Sequence, residues 1–406
     1  MRFRSAAALT IIREGVAEPD AINSANIQVA AVMSSLQLPV TMRAIVVSEF
    51  GDIDTSLKMH SSVPAPESVP GHAIIRIKAF GVNHAEMHMR RGEWAESMPI
   101  IGIECVGVVV SSAARPNEDE GVAIAPGTPV ATLMGGLGRT INGSYAEYTS
   151  ARLENIVPLP RELVESLGWA RLAALPETYA TAWTCLFRNL DLRAGERLLI
   201  RGASSAFGRA AVALAAQKGA IVSGTVRSPG RIEEFHALGL QNVFIEEGDT
   251  LTTRLHTTKH SKFDKILDLV GNSTVLGSLG LVRRDGRVCL AGWLGGLDSV
   301  EFNPLLHKMA SGVHLSFFAS FAFGEEGFQL RDVPLADIAQ LAAEGKLPGC
   351  RANESFRVHA RRSPRGASVH GERYCWWKDG GRSQITALPG VTLHVLHHHV
   401  APTGIS

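Results

Sequence analysis

Five short apolar runs begin at Leu198, Ala220, Val243, Lys265 and Arg287, and successive starts lie 22 or 23 residues apart. A strand, a helix and two turns need about that much chain, so the rhythm predicts a βαβ array. The alanine-rich stretch Gly208–Lys218 reads as the first helix, and Arg231–Leu238 comes after the second run as another. Right-handed crossovers turn such an array into a doubly wound parallel sheet. Ahead of it the texture is β-rich. Arg43–Val47, His72–Lys78 and Val106–Val110 read as strands, with Pro-Gly turns at Pro70 and Pro126. A small, irregular β-barrel or sandwich is expected there, and an α/β class for the whole.

Composition narrows the function classes. Forty basic residues against 39 acidic ones leave no footprint for nucleic acid and no polybasic membrane patch. An apolar share of 45% is too high for a disordered chain. No apolar run reaches the roughly 18 residues of a membrane span. The five cysteines, Cys105, Cys185, Cys289, Cys350 and Cys375, form no CxxC pair and are odd in number. That argues against a disulfide framework and for a reducing, cytoplasmic setting.

The sharpest local feature is Leu198–Gly208, at the turn from the first strand into the first helix. Backbone N–H groups and the helix dipole make an anion site at such a turn. The small side chains of Gly202, Ala203, Ser204 and Ser205 let a pyrophosphate approach. Gly208 lets the helix pack closely on the strand. The whole loop, with Ala206 and Phe207, is assigned to cofactor binding, although Ser205 stands where a GxGxxG motif has glycine. The second strand region carries no acid to hold ribose hydroxyls. Thr225, Arg227 and Ser228 offer hydroxyls and a cation instead, which suits the 2′-phosphate of NADPH; a solvated loop arginine is the alternative.

Six motifs in order then carry a resemblance: Phe80–Glu86, Pro99–Gly107, Gly143–Tyr148, Thr181–Trp183, Gly202–Gly208 and Asp268–Gly271. From Met42 to about Phe356 the chain resembles the medium-chain dehydrogenase/reductase superfamily, and within it the zinc-independent, zeta-crystallin-like quinone oxidoreductases. The resemblance implies a GroES-like catalytic domain over 42–170 and a Rossmann NADPH-binding domain over 171–325. Residues 326–358 would return towards the catalytic domain. The zinc alcohol dehydrogenases of the superfamily use a cysteine and a histidine where this chain has Asn83 and Ile103. Neither replaces a thiolate or imidazole on zinc, so no metal site is assigned. His84 and His88 have a metal-like spacing but no clear third ligand.

The resemblance also implies site residues. Asn83 lines the substrate pocket, and Thr181 meets the nicotinamide. The backbone at Val270, Gly271, Gly292 and Trp293 lines the same face. His88 stands where relatives often have tyrosine; it either donates a proton or is an ordinary packed or surface histidine. Glu104 is expected to orient loops or to pair with a cation. The expected activity is transfer of hydride from NADPH to a quinone, enone or activated carbonyl. An enoyl reductase or a non-catalytic NADPH-binding regulator is the alternative. The expected partners are a small electrophilic substrate and a second copy of the chain in a homodimer, with no nucleic acid and no membrane.

Both ends stand apart. Residues 1–41 carry Arg2, Arg4 and Arg13, which suggest a mitochondrial presequence, but also Glu14, Glu18 and Asp20, which oppose it. A disordered leader, or a start assigned too early with Met42 first, is the plainer expectation. Residues 351–406 carry eight basic and three acidic residues and six of the fifteen histidines. Trp376, Trp377, Lys378 and Asp379, back-translated with one base dropped, nearly force Gly-Gly-Lys-Met, the kind of ending the family has. Residues 359–406 therefore read as an aberrant basic tail, out of frame. Leaving several hundred Å² of strand surface uncovered costs several kcal/mol at about 25 cal/mol per Å². Restoring the family-like ending is expected to raise the melting temperature of the purified protein. Equal melting temperatures would mark the basic tail as genuine.

Overall fold

The computed structural model describes residues 38–114, 123–246, 251, 255, 262–302, 309–347, 374–378, 381–385 and 392–393. Met1–Pro39 and Val40–Ser406 are two units, and every element below lies in the second. The readings of the leader fall outside the described residues, as do most of those of the tail. No described helix is long and apolar enough to cross a membrane.

The N-terminal part is β-rich, as its turn-punctuated strands predict. Strands β1 (Thr41–Val47) and β2 (Leu57–Pro64) form an antiparallel pair. A second sheet is built from β3 (His72–Phe80), β4 (Glu104–Ala113), β5 (Pro129–Leu133), β6 (Tyr148–Arg152) and β7 (Ile156–Pro158). Its interior is aliphatic, with Ala73, Ile75, Val109, Val130, Ala151 and Ile156 packed together. Helix α1 (His84–Arg90) leaves the end of β3, and α2 (Arg161–Ala173) comes after β7.

Helix α3 (Pro176–Trp183) carries the chain to the second half, with proline at its first position, where a missing N–H costs nothing. There the rhythm of apolar runs becomes β8 (Arg197–Arg201), β9 (Ile221–Val226), β10 (Asn242–Ile245), β11 (Phe263–Asp268) and β12 (Val282–Leu290). Between them lie α4 (Ala206–Gln217), α5 (Ile232–Leu238) and α6 (Val275–Leu281). All five strands are parallel, in the order β10-β9-β8-β11-β12, and a sixth, β13 (His314–Phe317), extends the sheet beyond β12. The periodicity did not expose β13, because its Leu315 and Phe317 are largely exposed and it comes after a longer interval. This is a Rossmann order, whose switch point lies between β8 and β11. Helix α7 (Leu335–Ala343) then packs against α2, where Arg171 donates to Ala342 O.

Among the described tail residues, β14 (Tyr374–Lys378) and β15 (Gly381–Ile385) pair as a hairpin. The two residues of β16 (Thr392–Leu393) lie parallel to the end of β3.

Arg201, at the end of β8, is one of the largest polar side chains buried among the described residues, only 1% exposed. It forms an ion pair with Glu246 and donates to Thr274 O (2.9 Å) and Ser278 Oγ (3.3 Å). Removing one partner of a buried pair strands the other charge. Glu246→Ala is therefore expected to cost about 3–5 kcal/mol in urea unfolding, and replacing the pair together, Arg201→Met with Glu246→Leu, clearly less.

Candidate active site

The loop after β8 forms a cradle at the switch point. Gly202 adopts φ +81°, which favours glycine. A Cβ on Gly208 would stand 2.4 Å from Gly202 O, so only glycine lets α4 start this close to the strand. Ser205 caps α4, its Oγ accepting the Gly208 N–H at 2.9 Å. Thus the serine that breaks the glycine motif has a defined task. Two further loops close on this one. Asp268 accepts the N–H groups of Val270 and Gly271 at 3.0 Å each, and the hydroxyls of Thr274 and Ser278 at 2.8 and 2.6 Å. Gly295 N–H donates to Val270 O at 2.7 Å, joining the turn after β11 to the turn after β12. A Cβ on Gly202 would meet Leu294 at 3.1 Å. The three turns thus face one place, at the N-terminus of α4, the kind of position where backbone N–H groups receive a pyrophosphate.

Thr225 is placed otherwise than the sequence suggested. It is wholly buried in β9, and its hydroxyl accepts the Gly202 N–H at 3.0 Å. That bond holds the loop after β8 from the neighbouring strand, so the hydroxyl is not presented to solvent at the end of β9. Arg227 and Ser228 lie past the strand end and are exposed. Trp293 is 38% exposed, its ring tilted on that of Phe317 at 5.5 Å.

Asn83 caps α1 and gathers a second group. Its Nδ2 donates to Glu104 Oε1 at 2.8 Å. Glu86, in the first turn of α1, accepts the Asn83 backbone N–H at 2.6 Å and that of Ile103 at 3.1 Å. The other oxygen of Glu104 accepts the backbone N–H of Glu177 at 2.8 Å, so β4 holds the start of α3. One helical turn on, Thr181 is almost fully buried. Asn83, Glu104, Glu177 and Thr181 are thereby one continuous assembly. Because α3 packs along α4, the assembly stands beside the cofactor helix. Glu104 orients its surroundings as expected, but through N–H donors and an amide. Glu86 and Glu177 were not singled out from the sequence. The Asn-x-x-Glu spacing at 83–86 is a capping-box signal, and an acid after Pro176 is a helix-start signal; both point to the residues but not to their convergence. His88 is not part of this group. It pairs with Glu93 at 2.5 Å and stacks on Trp94.

Burial, the largest influence, pushes the Glu86 carboxyl up to about 8 and that of Glu104 to about 7, against the pull of the N–H donors. Burial and then repulsion from Glu104 bring Glu177 to about 8. At neutral pH this cluster holds protons that free carboxyls would have lost.

Family models match two stretches, "Alcohol dehydrogenase GroES-like domain" over 69–161 and "Zinc-binding dehydrogenase" over 206–326. The quinone oxidoreductase of Rattus norvegicus is 32% identical over 290 residues, 69% of this chain and 81% of the relative. The chain belongs to the medium-chain dehydrogenase/reductase superfamily. Within the superfamily it groups with quinone oxidoreductases and is an oxidoreductase. The crystal structure of the quinone oxidoreductase of Pseudomonas syringae pv. Tomato DC3000 superposes with a TM-score of 0.63 at 27% identity, covering 75% of this chain and 90% of that one. CurK enoyl reductase, at 21% identity and a TM-score of 0.59 over 76% of this chain and 90% of that one, shares the fold. The zinc of the second model's description does not fit the residues present. Asn83 and Ile103 are poor donors, and no group of three His, Cys, Asp or Glu among the described residues is arranged for a metal ion.

The carboxyl cluster predicts that this oxidoreductase loses stability in alkali. A carboxyl whose folded pKa lies above its unfolded 4.5 contributes stability that is full below pH 4.5. That contribution falls as pH rises and is gone once pH passes the folded value, about 8 for Glu86. Glu86→Gln removes the ionisation. Its melting temperature is expected to gain on the wild type by a few degrees between about pH 5 and pH 9. A constant difference across that range would show Glu86 to be ionised throughout.

Proposed function

We propose that the chain is an NADPH-dependent, zinc-independent reductase of quinones, enones or similarly activated carbonyls. The observation that carries this reading is the double attachment of α3. Its first turn hangs on Glu104 beside Asn83, and its length lies along the helix that opens the cofactor loop. An acceptor held at Asn83 is then next to the place where the three turns of the Rossmann half meet. When bound there, the nicotinamide supplies a hydride. The rest falls to the chain. Gly202–Gly208 receives the pyrophosphate at the start of α4. Val270, Gly271, Gly292 and Trp293 wall the ring side, and Asn83 orients the acceptor. Polarisation and positioning replace metal in such a site.

NADPH is favoured over NADH by the residues just past β9. Arg227 and Ser228 stand exposed where an acid would hold ribose hydroxyls. Reduction of a C=C bond beside a carbonyl needs the same arrangement, so an enoyl thioester is the second acceptor class. The names of the relatives, quinone oxidoreductases at 32% identity, favour the first. A homodimer belongs to the same proposal, supported by the exposed Leu315 and Phe317 on edge strand β13.

An NADPH-oxidation assay across quinones, enones and enoyl thioesters tests the reading, with turnover of a quinone or enone as the expected result. Arg227→Glu is expected to weaken NADPH by about 1.5–3 kcal/mol or more, through loss of a charge-assisted contact and added repulsion, and NADH little. Equal losses for both cofactors would remove Arg227 from the 2′-phosphate.

A further inference from the structure

We propose that Glu177 is the proton reservoir of this site and delivers its proton to the reduced acceptor through the hydroxyl of Thr181. The inference rests on the reductase reading above and adds to it the source of the proton. Glu177 and Thr181 are four residues apart on α3, so their side chains share one face. Glu177 Oε2 and Thr181 Oγ1 are both buried without a hydrogen-bond partner of good geometry. Even so, the Thr181 hydroxyl is near enough to act on the Glu177 carboxyl. Buried polar atoms are nearly always paired, so an orphaned one calls for an explanation, and a catalytic role is one. Two orphans, side by side and one turn from the Asn83–Glu104 bond, describe a channel for a proton that ends where the acceptor sits.

The surroundings keep a proton on Glu177. Glu104 of β4 faces it, with its Oε2 on the Glu177 backbone N–H at 2.8 Å. Glu86 of α1 adds repulsion from behind, and the Ser320 hydroxyl bonds the carboxyl from the segment after β13. Cys185 lies close on the turn that continues α3, and Tyr145 borders Glu86 and Glu104. Burial among acids leaves the Glu177 carboxyl near 8, so it carries its proton at neutral pH.

The step balances. After hydride arrives, the acceptor keeps an oxygen with an extra electron pair. That oxygen bonds the Thr181 hydroxyl proton while Thr181 Oγ takes the proton of Glu177. One O–H bond forms at the acceptor, one breaks at the carboxyl, and the threonine is restored. Glu177 ends as a carboxylate and takes a proton back from solvent before the next turnover.

The test uses the full chain with NADPH and menadione, with kcat measured between about pH 6 and pH 9.5. The wild type is expected to lose kcat above about pH 8, and Glu177→Gln to lower kcat about 100-fold and abolish that limb. Glu177→Asp should restore the limb. Thr181→Val should reproduce the loss, and Thr181→Ser should keep most of the rate. NADPH affinity of the Glu177 variants should change by less than about threefold, which separates proton supply from cofactor binding. An infrared difference spectrum of wild type against Glu177→Gln at pH 7 should show one protonated carboxyl band. An unchanged pH limb in Glu177→Gln overturns the relay while leaving the reductase reading intact. So does a limb that vanishes in His88→Gln instead, or a Glu177 that is ionised at pH 7. Absence of NADPH oxidation by the wild type with every acceptor ends both readings.

Discussion

The buried carboxyl of Glu104 is the joint on which the site depends. Its two oxygens accept two donors from different parts of the chain, the Asn83 amide and the Glu177 backbone N–H. One belongs to the helix that leaves β3, the other to the helix that leads to the parallel sheet. The joint needs room, and Gly81 supplies it: a Cβ there would come within 2.0 Å of Glu104 Oε1. Such a group is costly to bury charged; its donors offset part of the cost, and burial raises its pKa to about 7 in spite of them. Helix α3 is thereby fixed at its first turn, and every residue along it, Thr181 included, takes its place from that attachment.

A second buried network supports the loops after β8 and β11 in the same manner. Arg201 ends β8 immediately before Gly202, and Asp268 ends β11 immediately before the turn through Val270 and Gly271. Ser278 of α6 touches both, accepting from Arg201 and donating to Asp268. The two strands that flank the switch point are thus coupled beneath the loops they carry. Satisfied networks of this kind rigidify the backbone around them.

Much of this was legible in the residue pattern. A parallel sheet repeats its strand–helix unit along the chain, so apolar runs 22 or 23 residues apart disclosed five of its strands. The glycine-rich loop lay at the right turn, because close approach of helix and strand leaves a local mark in residue size. Thr225 shows where such reading stops. Its type suggested phosphate binding, but its position in β9 turns the hydroxyl inward onto Gly202. His88 likewise sits on the expected helix, yet its ring goes to Glu93 and Trp94. Side-chain direction depends on neighbours that are remote in sequence.

The sequence by itself determined the fold class, the place of the glycine-rich loop between strand and helix, and the mismatch of Asn83 and Ile103 with zinc. These rest on periodicity, residue size and donor chemistry, all of which are properties of short stretches. Only the tertiary structure decided that Glu86, Glu104 and Glu177 share one buried region, although 91 residues separate the first from the last. An isolated glutamate titrates near 4.5 wherever it occurs. Three of them brought together away from water hold protons at neutral pH, because burial and mutual repulsion act only once the chain has folded.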